Sequence, residues 1–461
     1  MIIYALFSAL IWSAVTLISH GCLGTGGFFY DLPNEQMPFG RFFILYVLAF
    51  IIYLLAVIKI SKLSELKRNI FIIFAGSIIF RVILLPGIPI HENDIYRYIW
   101  DGKVFTSGIN PYKYPPIQAS IKPASEYQQE DFEKLKSVRD KDPKSYRRIS
   151  FKDVPTIYPP FAQAVFAFST LAAPGSILFM KFMFLIFDIG VVFLLYMILK
   201  KLGQNPLYVV VYAWNPLVLK EFANSGHLDA LAICCVMAAV YLISRGKYLF
   251  SSISLGLGVL AKFYPIIFIP FLLIKKQYKA FLVCFAIITA GYLPFLLSDQ
   301  TGLAMFSGLG TYAQAWANNG FIFKLIYSLS SIFIHNPVMF SKIICGSIFL
   351  IIWAFICFDK QELIQKMFWA VTSLFLLSPV GDPWYFCWVI PFLCIYRQFS
   401  LIVLSFLLIL HYFIFTRDFG ILNIGGFKID NLLLMQYVPF YIFLIIEKRY
   451  NHVIYGKNHH I

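Results

Sequence analysis

Charge is what this 461-residue chain has least of. Only 13% of its residues are Asp, Glu, Lys or Arg, against 60% hydrophobic, and its mean hydropathy is +0.75. A soluble fold of this length cannot hide so much apolar surface, even split into several domains. Metal-ligand spacing among the cysteines is also missing. The eight, at 22, 234, 235, 284, 345, 357, 387 and 394, lie mostly in apolar segments, and adjacent Cys234 and Cys235 read as small core residues. Ile2–Ser19 lacks a basic start and a small-residue cleavage site, so it reads as a retained first helix rather than a signal peptide. There is no sign of a soluble domain or a short-period repeat. The net charge of +15 does not point to nucleic acid, because the basic residues sit in short clusters between apolar runs.

Those apolar runs are roughly 17–25 residues long, the length that crosses a bilayer. Backbone groups in lipid must be satisfied within each segment. The expected class is therefore an all-α polytopic membrane protein of about 12–14 segments, a single integral domain over residues 1–461. Candidate segments are 2–19, 42–60, 69–86, 176–199, 206–223, 228–244, 249–262, 263–274, 279–297, 337–357, 364–380, 384–396, 399–416 and 431–447. The pair 249–262 and 263–274, broken at Lys262-Phe-Tyr-Pro265, reads as a hairpin that stops short of crossing.

Basic clusters set the orientation. Those at Lys59–Arg68, Lys200–Lys201, Arg245–Lys247, Lys275–Lys279, Lys360–Lys366, Arg397 and Lys448–Arg449 share one side if 157–173 and 320–335 are interfacial or re-entrant. Both termini are then cytoplasmic, in a multi-pass protein of the plasma membrane. The loop 87–156, Asn224–Asp229, Lys262, 298–319 and Ser378–Tyr385 share the outer face. The loop 87–156 carries 12 basic and 10 acidic residues, and its polar middle, Ser125–Arg148, reads as a solvated helix pair or a lid.

The densest polar stretch, His91–Lys103 running on to Gly108–Tyr112, follows directly on an apolar span, a costly placement that points to function. If Asp94–Lys103 is helical, Asp94, Arg97, Tyr98 and Asp101 share one face, and Tyr96, Trp100 and Lys103 the other. That is an amphipathic helix on the membrane surface, with Tyr and Trp at headgroup depth. Its polar face offers a carboxylate base beside a guanidinium, as deprotonating a hydroxyl near an anionic leaving group requires. Intrahelical Asp–Arg pairing without chemistry is the plain alternative.

Other residues carry paired readings. Arg81, inside the third span, either binds a phosphate or snorkels to the headgroups. Glu221, Asn224, His227 and Asp229 could hold acceptor hydroxyls; His227-x-Asp229 is a weak metal signal, and Asp229 capping a helix is the plain alternative. Lys262 either meets a lipid phosphate or anchors the interface. Trp384 and Tyr385, beside Asp382, either stack on a sugar or belong to an aromatic belt. Asp188, within a span, should bond a neighbouring helix.

Asn93-Asp-Ile-Tyr-Arg-Tyr-Ile-Trp-Asp-Gly-Lys103 with Gly108-Ile-Asn-Pro-Tyr112 resembles the first outer loop of polyprenol-phosphate-dependent mannosyltransferases and related bacterial proteins of the GT-C superfamily. The resemblance continues, in order, through Pro155–Gln163, Trp214–Leu217, Glu221–Asp229, Leu260–Pro265 and Ser378–Tyr385. It implies transfer of a sugar, on this reading mannose, from a polyprenyl-phosphate donor to an acceptor hydroxyl at the outer membrane surface, with Asp94 as the catalytic acidic residue. The expected donor-phosphate ligands are Arg81, Arg97 and Lys262. The expected substrate contacts are Glu92, Asp101, Tyr112, Tyr158, Glu221, Asn224, His227, Asp229, Asp382, Trp384 and Tyr385. Asn93 stands where some relatives have a second Asp, so the expectation is a base working without a metal or other cofactor. A transporter or flippase of a lipid-linked sugar could use the same cations. Transporters, however, gather polar residues near the midplane between inverted repeats, whereas here they collect at the outer ends.

Overall fold

A computed structural model describes residues 1–22, 26–63, 66–121, 129–298, 302–416, 419–424 and 427–454. The architecture is a helical membrane bundle. Among the described residues, six helices are long and apolar enough to cross a membrane: Ile2–Ser19, Phe39–Lys59, Ile177–Lys201, Tyr278–Leu297, Pro337–Phe358 and Asn431–Arg449. Shorter apolar helices pack among them. Pro160–Ala172, at 13 residues, reaches only about 20 Å, short of the ~30 Å hydrocarbon core, and Phe321–Ser330 is shorter still. The single hairpin among the described residues pairs Ile421–Ile424 antiparallel with Phe427–Asp430.

Two expected spans are not continuous helices. The 206–223 segment is a chain of short pieces: Pro206–Val209, Val210–Ala213, Pro216–Val218 and a π-helical turn over Leu219–Asn224. The 384–396 segment breaks into Pro383–Phe386 and Ile390–Leu393. Prolines 206, 216, 383 and 391 each remove a backbone donor, so no long ladder can form. Irregular backbone at this depth survives because protein surrounds it, and every residue from Val209 to Ile233 is buried. The hairpin expected at Lys262 is present. The helix Tyr248–Ala261 stops at an extended Lys262, and the chain turns back through Tyr264–Phe268 and Pro270–Ile274.

Arg81 is settled by its partners. Its guanidinium is fully buried, with Nε and Nη2 2.6 and 3.1 Å from the Asp188 carboxylate. Nη1 donates to Ser77 Oγ and the Ala213 carbonyl, both at 2.7 Å. Tyr212 completes the cluster by donating to Asp188. The donor-phosphate role expected for Arg81 is corrected: this side chain is spent on joining three segments of the bundle. The expectation that Asp188 would bond a neighbouring helix matches this geometry.

The polar stretch does form a helix, Asp94–Thr106, but it does not lie on the membrane surface. It is buried, with Tyr96 2% and Trp100 4% exposed. Pro160–Ala172 covers one side, and Gly102 permits the close approach: a Cβ there would sit 2.5 Å from the Phe166 carbonyl oxygen. Tyr146, from the short helix Pro143–Arg147, packs on Trp100 with ring centroids 5.1 Å apart. Helical periodicity separated the two faces correctly, but both are covered by protein. The expected helix pair within Ser125–Arg148 is present as Gln129–Lys141 and Pro143–Arg147; residues 125–128 lie outside the described residues.

Candidate active site

The segments expected on one face converge on a cavity of about 830 Å³. Glu92, Asp94 and Arg97 line it from the first loop, Tyr158 from the chain leading into Pro160–Ala172, Lys262 from the hairpin tip, and Asp382, Trp384 and Tyr385 from the broken C-terminal segment. This volume falls in the range of small-molecule sites.

The loop entering the helix Asp94–Thr106 is held tightly. Asn224 accepts from the Ile90 amide and donates to the Ile88 carbonyl, both at 3.0 Å. His91 takes a positive φ of 50°, turning the chain so that Glu92 and Asp94 both face the cavity. Asn93 donates to Ser150 Oγ at 2.7 Å, tying the turn to the far end of the loop. Asp94 opens the helix, where a carboxylate meets unpaired amides.

Two cations flank Asp94. Arg97 is oriented by Asp101, 2.8 Å from its Nε, and by the Val154 carbonyl, 3.0 Å from its Nη1. Its Nη2 is buried with no partner among the described residues, on a side chain that borders the cavity. Lys262 Nζ lies 3.1 Å from Asp229 and over the Tyr385 ring at 4.9 Å. Asp229 is held in turn by Trp388 Nε1 at 2.7 Å.

A second carboxylate layer lies behind. Glu221 is fully buried, 3.2 Å from Lys220 Nζ, and accepts from Tyr412 Oη at 2.9 Å. Tyr412 Oη also lies 3.4 Å from Glu92. The His227 ring stacks on Trp384 at 4.4 Å, and neither ring nitrogen has a hydrogen-bond partner among the described residues. Asp382 accepts from Asn318 and faces His411 Nε2 at 3.7 Å.

The titrations divide these acids. Burial, then Asp94, pushes Glu92 well above the usual carboxylate range. Burial, again followed by Asp94, does the same to Asp382. Asp94 is raised by burial and Asp229, but Lys262, Arg97 and a Tyr98 hydrogen bond oppose the shift. Its side chain also remains 36% accessible, through the cavity. All three carboxyls are thus pushed toward the protonated form, Asp94 with Lys262 and Arg97 both opposing the push. His227 is driven far below its ordinary value by burial, then by Lys220 and Lys262, so it is neutral. Removing Lys262 withdraws the strongest influence favouring the Asp94 carboxylate. In Lys262→Gln the Asp94 pKa rises further, and any activity needing the carboxylate is lost at a higher pH as the solution is acidified. A pH–rate profile of wild type and variant should show that displaced acidic limb, and superimposed limbs would remove Lys262 from this role.

Glu92, Asp94 and His227 each offer one ligand atom within 4.8 Å of the others, a set that a divalent cation could use. The ring, however, turns opposite edges to its neighbours. Nδ1 faces Asp94 at 3.9 Å, while Nε2 faces Glu92 at 3.7 Å and Glu221 at 3.4 Å.

Not every expected contact borders the cavity. Asp101 orients Arg97, and it accepts from Thr156 and Gln163. Tyr112 donates to the Tyr158 carbonyl at 2.8 Å and packs with Leu260, Tyr292 and Met305. Asn224, Asp229 and Glu221 act on loop, lysine and tyrosine as described. These five, like His227, do not line the cavity; their bonds go to other parts of the protein, and the His227 ring stacks on Trp384. Sequence reasoning missed Tyr30, Asn318, His411 and the Tyr312–Trp316 wall of the cavity, and Lys220 and Tyr412 behind it. None of these stands in a motif, and tyrosine is too abundant here, at 28 copies, to draw notice.

No solved structure matches the chain. Residues 43–276, more than half its length and including the first loop, the His227 turn and Lys262, match the family described as alpha-(1->6)-mannopyranosyltransferase, N-terminal domain, and the chain belongs to that family of mannosyltransferases.

Proposed function

We propose that the protein transfers mannose from a polyprenyl-phosphate donor to an acceptor hydroxyl, on the outer face of the membrane. The observation that carries this reading is an accessible, ionisable Asp94 standing between the free Nη2 of Arg97 and the Lys262 ammonium in one cavity. Asp94 takes the proton of the acceptor hydroxyl. The oxygen attacks the anomeric carbon opposite the phosphate, so the centre inverts. The C–O bond to phosphate breaks, and Arg97 and Lys262 receive the negative charge that develops there. Trp384 supplies a flat apolar face for the sugar.

The lipid tail has a place to go. A smaller apolar recess of about 220 Å³ adjoins the cavity, shares Lys262, Tyr158 and Tyr385 with it, and continues along Phe263, Leu374 and Phe375. A phosphate at Lys262 could send its first isoprene units into this recess.

The test is an assay of the purified protein with polyprenyl-phosphate mannose and candidate acceptors. Mannosylated product is expected from the lipid-linked donor and none from a nucleotide-sugar. A protein that moved the lipid between leaflets without forming product would be a transporter instead. The reaction as drawn uses no metal, so treatment with a chelator should leave the rate unchanged; loss of activity restored by added divalent cation would overturn that part.

A further inference from the structure

A second pocket, of about 260 Å³, lies on the other side of Tyr30 from the cavity. Tyr30, Pro89, Tyr96, Arg148, Leu178 and Lys181 account for its character, and no carboxylate lines it among the described residues. Lys181 is 1% exposed, yet among the described residues its Nζ makes one hydrogen bond, to the Gly87 carbonyl at 2.8 Å, and has no counter-ion. A buried ammonium so poorly matched is costly unless an anion completes it. Arg148 lies over the rings of Tyr30 and Tyr96 at 5.1 and 5.4 Å and receives little from Asp31, which is 3.5 Å away and 83% exposed.

The surroundings are those of a lipid-facing wall. Leu178, Phe182 and Ile186 are 51, 44 and 48% exposed, and at spacings of four they form one stripe down the spanning helix Ile177–Lys201. Phe29, 40% exposed, stands on the other side of the pocket.

We propose that this pocket binds the phosphate of an anionic membrane lipid, with Lys181 and Arg148 on the phosphate and an acyl chain along Leu178, Phe182 and Ile186. The site is separate from the proposed donor site and does not depend on it. It adjoins the catalytic loop all the same: Tyr30 and Pro89 line both pockets, and the Tyr30 hydroxyl donates to the Glu92 carbonyl.

The test is native mass spectrometry of protein purified with phosphatidylglycerol, alongside thermal melting as that lipid is titrated. Wild type is expected to retain one phosphatidylglycerol and to melt higher with it. Lys181→Met removes the uncompensated charge while keeping the stem, and Arg148→Gln changes a partly exposed side chain. Each should cut retention at least tenfold, read as roughly a tenfold weaker apparent affinity. If both variants hold the lipid as wild type does, the assignment fails. If inorganic phosphate alone displaces the lipid completely and gives the same melting shift, the pocket takes a free anion and the lipid assignment is overturned.

Discussion

Asp94→Asn should lower mannosyl transfer by about 10²–10⁴-fold, the range a positioned general base contributes, with donor binding nearly unchanged. The substitution keeps the size and polarity of the side chain but cannot accept the hydroxyl proton. Glu92 is the poorer base, because burial and its neighbour push its carboxyl well above the usual carboxylate range. Glu92→Gln, at a carboxyl pushed toward its neutral form, should cost far less. The pair of variants therefore separates a base from a merely polar wall. Initial rates at saturating donor, together with donor affinity, decide the matter. Full activity in Asp94→Asn would return the role to another residue.

The largest effect on stability is expected at Arg81 and Asp188, well away from the cavity. Removing one partner of this buried pair, as in Arg81→Met or Asp188→Leu, leaves a charge in a dry interior and should cost about 3–5 kcal/mol. Tyr212, Ser77 and the Ala213 carbonyl would lose their partners with it. Changing both together, Arg81→Met with Asp188→Leu, removes both charges and should recover much of the loss. Thermal melting in detergent of the two single variants and the double would show this pattern. If the double variant melts at the sum of the two single losses, the ion pair is not what holds the three segments. Should Arg81→Met instead fold normally and only weaken donor binding, the discarded phosphate role would return.

These two sites mark what could be read from the sequence and what could not. Asp94 was legible because its neighbours at i+3, i+4 and i+7 are polar and follow a membrane span. The gathering of Lys262, His227 and Asp382 around it was legible because charge placed their loops on one side and the motifs occurred in order. Arg81 was not. Its partner is 107 residues away, and an isolated arginine in a span looks the same whether it meets a carboxylate, a phosphate or water. The Tyr96 and Trp100 face misled for a related reason. Aromatic residues suit the membrane interface and a protein interior equally, and only the packing of Pro160–Ala172 and Tyr146 decides between them. The roles of Asp101, Tyr112 and Asn224 were blurred too, since a residue that holds a loop and one that touches a sugar present the same side chain to a reader of sequence.

The hydroxyl of Tyr412 bridges Glu221 and Glu92, and 191 residues separate it from the first of these. At the usual 5–20 residues per second, the ribosome needs roughly 10–40 s to make that stretch. Through that interval the earlier helices are already in the bilayer, holding two acids whose common partner has not yet been synthesised. The nascent protein must keep those acids wet, or hold them near Lys220, until the last helices arrive. A chain stopped before Tyr412 would leave Glu221 and Glu92 without this shared partner.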